Sequence, residues 1–131
     1  MRIVVAAGIL RRNKNFLLTS RPKKKSFAGF WEFPGGKVKK NELLLHTLKR
    51  EIFEELTINL DVNNIIFFCN YRVARKNVKL FLNFFLCYKW SGTVNPTENQ
   101  KYVWLTLKEL EKYNVLKSNR KVLDKLNTFY D

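Results

Sequence analysis

The chain of 131 residues is long enough for one packed core and too short for a second folded unit with a linker, so residues 1–131 are expected to form a single domain. Hydrophobic residues make up 46% of the chain, which is typical of a globular protein. No apolar run approaches the roughly 20 residues that a membrane-spanning helix needs. The formal net charge of +14 favours anionic partners, either nucleotides or nucleic acids, although basic surfaces that bind neither are common.

The N-terminal part of the chain has the pattern of strands joined by polar turns. Residues 2–10 and 15–20 are apolar runs on either side of the turn-like RRNKN, which predicts a hairpin or adjacent strands. Since no small-residue cleavage site follows the first run, we interpret it as a strand rather than a signal peptide, and we expect a cytoplasmic protein. A basic loop, RPKKK, then leads to GFWEFPGG, in which a strand ends at Pro34.

The middle and the end of the chain contain helices and further strands. From Glu42 to Leu56 apolar residues recur every three or four positions, which predicts a helix with one buried face and with Asn41 as its N-cap. Residues 65–73 and 78–90 are rich in aromatic and β-branched residues and predict two strands. The remaining predicted elements are a short strand in YVWLT, a short helix in LKELEKY and a longer one in SNRKVLDKLNTFY. The predicted fold is an α/β sandwich with a mixed central sheet.

Two cysteines and one histidine offer little for metal or redox chemistry. Cys69 and Cys87 lie in separate strand-like stretches without the close spacing of a metal or redox pair, so we expect buried free thiols in a reducing compartment. His46 has no partner His or Cys at ligand spacing and is interpreted as a surface residue of the helix.

Acidic residues are concentrated in the mid-chain helix of this basic protein. Glu51, Glu54 and Glu55 project from one side of it, away from the apolar stripe. Like charges at this spacing destabilise a helix unless a cation compensates, and Mg²⁺ suits carboxylate oxygens next to a substrate phosphate. Acidic helix faces that bind no metal are also common, so the periodicity leaves both interpretations open. The glycines before the helix favour metal binding, because a glycine lets a backbone carbonyl approach an ion.

These residues resemble the Nudix box, in which Gly, Glu, Arg-Glu and Glu-Glu recur at fixed spacings. The matching positions are Gly36, Glu42, Arg50, Glu51, Ile52, Glu54, Glu55 and Ile58. Thr57 replaces the last glycine of the box, which follows the acidic residues, so metal binding is not expected to suffer. A β-branched residue there is either strained in a left-handed conformation or part of a different turn.

The resemblance extends over most of the chain and is strongest to the MutT-like nucleoside triphosphate pyrophosphohydrolases. The segments with similar order and spacing are GFWEFPGGK, YKWSG, VWLTLKEL and SNRKVLDKL. It implies a Nudix-type α/β/α sandwich with the catalytic helix in mid-chain and a second helix at the C-terminus. It also implies hydrolysis of a nucleoside triphosphate to the monophosphate and pyrophosphate, with Mg²⁺ as cofactor and Mn²⁺ as an alternative ion.

The resemblance assigns roles within the box. Metal ligands are implied at Glu51, Glu54 and Glu55 and at the carbonyl of Gly36, with Glu42 and Arg50 orienting the cluster. The metal neutralises the polyphosphate and activates a water molecule, whose proton needs a general base. Three carboxylates qualify: Glu54, Glu55, and Glu98 in the loop of residues 91–100. For Glu98, a solvated loop carboxylate is the competing interpretation.

Three further residues are implied in substrate binding. Asn119 and Phe33 match the Asn and the aromatic residue that MutT-like enzymes use for the base, and an amide can both donate and accept along a purine edge. The competing interpretations are a helix N-cap for Asn119 and core packing for Phe33. Arg21 matches a basic position that contacts phosphate, whereas Lys23–Lys25 are interpreted as a solvated run that steers anions.

The favoured function is sanitation of the nucleotide pool by removal of oxidised purine triphosphates such as 8-oxo-dGTP, a contribution to DNA repair. A pyrimidine triphosphate such as CTP, ADP-ribose and a dinucleoside polyphosphate stay open as substrates, because a fold is a poor guide to substrate. A non-catalytic module for oxidised bases or RNA is disfavoured, since it has no reason to keep acids beside an anionic ligand. We expect a monomer that binds a small-molecule nucleotide, with no membrane partner, no obligate nucleic acid and at most weak nonspecific polyanion binding.

Overall fold

The computed structural model describes residues 1–130, which form nine strands and three helices. The strands are β1 (Arg2–Arg12), β2 (Asn15–Ser20), β3 (Trp31–Glu32), β4 (Gly35–Lys37), β5 (Asn59–Leu60), β6 (Ile65–Arg75), β7 (Val78–Cys87), β8 (Trp90–Ser91) and β9 (Tyr102–Leu105). The helices are α1 (Leu44–Leu56), α2 (Leu107–Leu110) and α3 (Lys117–Phe129).

A mixed sheet in the order β3-β2-β1-β7-β6 runs through the molecule, with β4 also beside β1 and β9 beside β2. β1 and β7 are parallel, and the other pairs of this sheet are antiparallel. β1 and β2 pair only next to their hairpin, where Arg11 lies opposite Phe16, and further along β1 the strands β4 and β7 take over as neighbours. The sheet with helices at its sides confirms the predicted α/β sandwich.

The two faces of the sheet are covered by different helices. α1 packs the stripe of Leu48, Ile52 and Leu56, all fully buried, on one face, and α3 packs on the other. Successive residues of β7 alternate between the two clusters, since Phe84 belongs to the α3 side and Phe85 to the α1 side. Both helices are therefore anchored by apolar contacts, which leaves the polar side of α1 free for chemistry.

The start of α1 differs from the prediction. The helix begins at Leu44, and Asn41 is not its N-cap: Asn41 has a left-handed φ of 64°, whereas an N-cap residue is extended. Asn41 lies in a turn in which the Glu42 N–H donates to the Lys39 carbonyl at 3.0 Å. Leu43 occupies the N-cap position without a side-chain capping bond. Asn tolerates a positive φ, and Asn41 therefore forms a turn rather than a helix N-cap.

The long strand predicted at 78–90 is also interrupted. β7 ends at Cys87, and the chain then turns so that β8 pairs with β5 in a separate two-stranded sheet. The Lys89 carbonyl accepts a hydrogen bond from the Asp61 N–H at 3.0 Å, outside either ladder. This pairing is made with a distant segment, which alternation within 78–90 does not reveal.

Both cysteines are buried free thiols, as predicted. Burial raises the pKa of the Cys87 thiol to about 12, so this thiol stays protonated and unreactive. Among residues 1–130, no helix combines the length and the apolar character needed to cross a membrane.

Candidate active site

The two glycines of β4 bring its backbone against both β1 and α1. Gly36 pairs with Ala6 of β1, and a Cβ atom at Gly36 would overlap the carboxylate of Glu51. A Cβ at Gly35 would overlap the Ala6 carbonyl oxygen. Gly35 has no room for a side chain because the backbone of β1 lies against it, whereas a side chain at Gly36 would displace the flexible Glu51 carboxylate.

Arg50 forms hydrogen bonds with Glu42, which precedes α1, and with two carboxylates of the helix. Its guanidinium donates to both oxygens of Glu42, at 2.7 Å and 2.9 Å, and its Nη1 donates at 3.2 Å to both Glu51 and Glu54. The Thr47 hydroxyl adds a 2.6 Å hydrogen bond to Glu42. These bonds from Arg50 and Thr47 hold the pKa of the Glu42 carboxyl well below its usual range. Glu42 is therefore a permanently charged anchor for Arg50.

Glu55 lies on the inner side of the same helix, in a very different environment. Its carboxyl accepts one hydrogen bond, from the Gly35 N–H at 3.1 Å. Burial and, secondarily, the charges of Glu51 and Glu32 raise the pKa of Glu55 to about 8. Without a cation nearby, this carboxyl holds its proton at neutral pH.

The acidic residues are chemically suited to a divalent cation, although they are not gathered around a single point. Among the described residues, no group of three or more His, Cys, Asp or Glu side chains is already arranged to hold one ion. Glu51 and Glu54 turn toward Arg50, and Glu55 turns toward β4. Carboxylate oxygens and a glycine carbonyl are the ligands that Mg²⁺ prefers, and rotation of flexible Glu side chains would complete the set. A cation would also relieve the repulsion that raises the pKa of Glu55.

A cavity of about 430 Å³ opens beside Glu55, and we call it the nucleotide pocket after the substrate proposed below. Its lining includes Arg21, Phe33, Gly36 and Asn119. The structure thus places the sequence-derived candidates for base and phosphate binding next to a catalytic candidate of α1. Phe33 and Asn119 are 86 positions apart in the chain and meet only in the folded protein.

Asn119 contributes to this pocket from within α3. The N-cap interpretation is wrong, because the N-cap of α3 is Leu116 and Asn119 lies inside the helix. Its Oδ1 accepts a 3.0 Å hydrogen bond from the Phe33 N–H, and its Nδ2 lies 3.3 Å from the Ser118 hydroxyl. The Phe33 ring is buried and packs edge-to-face on Phe84. The Asn119 amide is therefore held in one orientation at the pocket wall.

Arg21 forms an ion pair that sequence reasoning missed. Its Nη1 lies 2.9 Å from Glu32, and its Nε donates to the Ser26 carbonyl at 3.0 Å. Burial raises the pKa of Glu32 despite this partner. Glu32 and Arg75 also line the nucleotide pocket. A lone carboxylate between two aromatic residues, in WEF, was the available signal for Glu32, whereas nothing local to Arg75 shows that the hairpin between β6 and β7 reaches this pocket.

Glu98 is not among the residues that line the nucleotide pocket. Its side chain is exposed, and its N–H is bonded to the Gln100 side chain at 3.1 Å. It lines a neighbouring cavity of about 930 Å³ together with Lys23–Lys25. These three lysines are exposed, as expected for a solvated run, and they also line this cavity.

Thr57 ends α1 in the left-handed conformation that glycine would adopt. Its φ and ψ are 64° and 28°, and its N–H donates to the Phe53 carbonyl at 2.9 Å. Its hydroxyl donates to the Asn95 carbonyl at 2.8 Å. Of the two expectations for this position, strain is the one observed.

Comparison with known proteins identifies the family. The NUDIX domain model matches residues 1–126. The chain belongs to the Nudix family. The 8-oxo-dGTP diphosphatase of Buchnera aphidicola subsp. Schizaphis graminum is 37% identical over 123 residues, which cover 94% of this chain and 91% of that protein. The CTP pyrophosphohydrolase of Escherichia coli (strain K12) is 33% identical over 116 residues, covering 85% and 81%.

A solved structure agrees with this assignment. The E. coli ORF135 protein superposes with a TM-score of 0.88 at 28% identity, covering 98% of this chain and 91% of that one. The protein is thus a Nudix hydrolase of the MutT-like type, which confirms the resemblance found in the sequence. Nudix hydrolases generally use divalent metal ions, and a small-molecule nucleotide substrate is consistent with the family.

Proposed function

We propose that this Nudix hydrolase cleaves an oxidised purine nucleoside triphosphate such as 8-oxo-dGTP to the monophosphate and pyrophosphate, with Mg²⁺ as cofactor. The observation that carries the proposal is the nucleotide pocket, in which the Asn119 amide and Phe33 lie in one cavity with Glu55. The similarity to an 8-oxo-dGTP diphosphatase over 94% of the chain supports the same substrate. One catalytic domain spanning residues 1–131 would perform the reaction.

The proposed cation ligands are Glu51, Glu54 and Glu55 with the carbonyl of Gly36, and Mn²⁺ would fit the same donors. The ion, when bound, supplies charge neutralisation of the polyphosphate and a lower pKa for its bound water. Arg50 acts as a positioning residue, since its bonds to Glu51 and Glu54 hold two of the ligands beside β4.

In the chemical step the oxygen of a water molecule bonds to phosphorus, and the bridging P–O bond between the α- and β-phosphates breaks with its electrons passing to the departing phosphate, which yields the monophosphate and pyrophosphate. The water proton must pass to a base. Glu54 is our candidate, because its side chain is 53% exposed and its carboxylate is bonded to Arg50 alone. Glu55 is less suited, because burial and like charges favour its protonated form. Glu98 is the second candidate and would have to approach from its loop.

Recognition of the base is assigned to Asn119. One lone pair of its Oδ1 is used by the Phe33 N–H and one Nδ2 hydrogen by the Ser118 hydroxyl, so the amide retains its second Nδ2 hydrogen and its second lone pair for a purine edge. Phe33 is too buried to stack broadly on a base, and its main role is to position Asn119 through that hydrogen bond. Arg21, oriented by Glu32, is placed to contact phosphate at the same pocket.

A pyrimidine triphosphate is the second candidate substrate. It is supported by the CTP pyrophosphohydrolase, which is 33% identical to this chain. For either substrate we propose a cytoplasmic monomer that needs neither a membrane nor a nucleic acid, with the charge of +14 producing only weak nonspecific binding to polyanions.

The catalytic proposal is tested by measuring pyrophosphate release from normal and oxidised nucleotides in Mg²⁺. Glu54→Gln is expected to lower kcat roughly 10²–10⁴-fold, since a general base contributes that much. Glu111→Gln is the matched control: it removes an exposed carboxylate on the other side of the molecule while keeping an acceptor for Asn127. A parent protein that releases pyrophosphate from no nucleotide would refute the proposal.

The base-reading role is tested with two substitutions of Asn119. Asn119→Ala removes the amide, and Asn119→Asp keeps an acceptor for the Phe33 N–H while removing the Nδ2 donor. We expect the parent to prefer 8-oxo-dGTP over dGTP and the preference to fall about tenfold in both variants, the value of one lost hydrogen bond. An unchanged preference in both would remove Asn119 from base recognition, and a parent that prefers CTP would favour the second candidate.

A further inference from the structure

A second cavity lies on the other side of the loop that follows β2. Its volume is about 930 Å³, within the range of ligand pockets. We name it the lysine cavity after its cationic lining residues, which are Lys23, Lys24, Lys25 and Lys101 together with Arg21. Among the described residues that line it, Glu98 is the one carboxylate. The cavity therefore carries a strong positive potential.

The lysines of this cavity have no ionic partner within residues 1–130. The ion pairs of the described chain involve Arg21, His46 and Arg50, and none involves Lys23, Lys24 or Lys101. Cations held close together repel one another, and an anion between them removes that repulsion. The clustered lysines therefore favour a bound anion, just as the carboxylates of α1 favour a bound cation.

Backbone hydrogen bonds hold the two walls of the lysine cavity together. The Ser20 N–H donates to the Lys101 carbonyl at 2.9 Å, and the Lys101 N–H donates to the Ser20 hydroxyl at 2.9 Å. On the facing loop, the Lys25 N–H donates to the Pro22 carbonyl at 3.0 Å and closes a turn. Lys101 is therefore anchored beside the end of β2, and the loop that carries Lys23, Lys24 and Lys25 follows this strand.

The lysine cavity adjoins the nucleotide pocket. Arg21 and Lys25 line both of them. A phosphate chain held near Arg21 and Lys25 would therefore border both cavities.

We propose that the lysine cavity binds the terminal phosphates of the nucleotide, the part that leaves as pyrophosphate. The inference rests on the proposed function and extends it, since it assigns Lys23, Lys24 and Lys101 to the terminal phosphates rather than to general attraction of anions. It predicts preference for triphosphates over diphosphates. It also predicts that inorganic tripolyphosphate binds the protein without a nucleoside.

The test compares two triple variants that lose the same charge. Lys23→Gln, Lys24→Gln and Lys101→Gln alter the lysine cavity without touching a residue of the nucleotide pocket. The control combines Lys14→Gln, Lys108→Gln and Lys112→Gln, three lysines that are equally exposed and line neither cavity. Because all six side chains are exposed, both variants should retain the parent melting temperature.

We expect kcat/KM for 8-oxo-dGTP to fall about tenfold in the cavity variant and less than about twofold in the control, because each exposed charge pair contributes little and the three act together. Inhibition by 8-oxo-dGMP, which lacks the terminal phosphates, should be equal in all three proteins. Calorimetry with inorganic tripolyphosphate, without nucleotide, should show binding to the parent and the control, and about tenfold weaker binding to the cavity variant.

Equal losses in both triple variants would overturn the inference in favour of general electrostatic attraction, and so would unchanged tripolyphosphate affinity in the cavity variant. A parent that hydrolyses no nucleotide would refute the proposed function instead. The tripolyphosphate titration would still decide whether the lysine cavity binds a phosphate chain, so the two failures are distinguishable.

Discussion

Glu42 lies just before α1 and Glu55 near its end, and the two carboxylates have opposite environments. Glu42 accepts two hydrogen bonds from Arg50 and one from Thr47, and its pKa lies well below the usual range. Glu55 accepts one, from Gly35, and burial with nearby like charges raises its pKa to about 8. The residue type is the same, so the neighbours alone decide which side chain is ionised.

Because of this difference, the two parts of the site have different roles. The Arg50 cluster, formed by Arg50 with Glu42, Glu51 and Glu54, is held together by the chain's own ion pairs and needs no cation to be ordered. Among the described residues Glu55 forms no ion pair, so its charge state depends on what binds beside it. The Arg50 cluster positions ligands, whereas the charge state of Glu55 responds to a bound ion.

The largest expected effect is on the pH dependence of stability, and it concerns Glu55. In metal-free protein the unfolded chain loses this proton near the usual pKa of Glu, whereas the folded protein holds it up to about pH 8. The unfolded state then binds fewer protons, so the free energy of unfolding falls as pH rises between these values. From pH 5 to pH 8, Glu55→Gln should gain about 3 kcal/mol relative to the parent.

Urea denaturation in EDTA measures this difference. Excess Mg²⁺ should stabilise the parent at pH 8 and reduce the gap to Glu55→Gln, because a bound cation favours the ionised carboxyl. Glu111→Gln, which alters an exposed carboxylate, should follow the parent. Parallel pH profiles for the parent and Glu55→Gln would mean that Glu55 is ionised in the folded protein and that the contrast with Glu42 is absent.

The next effect concerns the Arg50 cluster. Arg50→Ala should lower kcat by about 100-fold, the upper range for loss of a group that orients metal ligands. Because Arg50 acts through Glu51 and Glu54, the Mg²⁺ concentration for half-maximal rate should rise while the KM for nucleotide changes little. Arg50→Lys should recover only part of the loss, since an ammonium cannot make the two-pronged contact with Glu42.

Arg120→Ala removes an exposed arginine of α3 and serves as the control for lost charge. If Arg50→Ala lowered the rate without changing the Mg²⁺ dependence, Arg50 would have to act on the substrate directly rather than through the carboxylates.

The smallest effect is expected at the end of α1. A left-handed conformation costs a residue with a Cβ about 1 kcal/mol, and Thr57 adopts one at φ 64°. Thr57→Gly relieves this strain and loses the exposed hydrogen bond to the Asn95 carbonyl. We expect a net gain of about 0.5 kcal/mol in the free energy of unfolding. Thr57→Ala, which loses the hydroxyl without relieving the strain, should be destabilised. A loss in Thr57→Gly as large as in Thr57→Ala would show that the hydroxyl outweighs the strain.

Local patterns predicted the parts of the fold whose cause is local. The hairpin of β1 and β2 and the buried stripe of α1 follow from alternation and from helical periodicity, which act between neighbouring residues. The N-cap at Asn41 and the end of the strand predicted at 78–90 were wrong, because in both cases the chain follows a turn or pairing partner that the segment itself does not encode. The pairing of β8 with β5 joins segments about 30 residues apart, for which periodicity carries no information.

For the site, the spacing of the carboxylates and glycines within residues 35–58 was sufficient by itself to identify the family and the acidic cluster. Side-chain identity and helical spacing determine which oxygens can face one ion. The tertiary structure alone decided that Glu55 is partly buried and Glu42 paired, that Glu98 lines the lysine cavity rather than the nucleotide pocket, and that these two cavities adjoin. Burial and the distance between charges set these properties, and both depend on residues that are distant in the chain and meet only after folding.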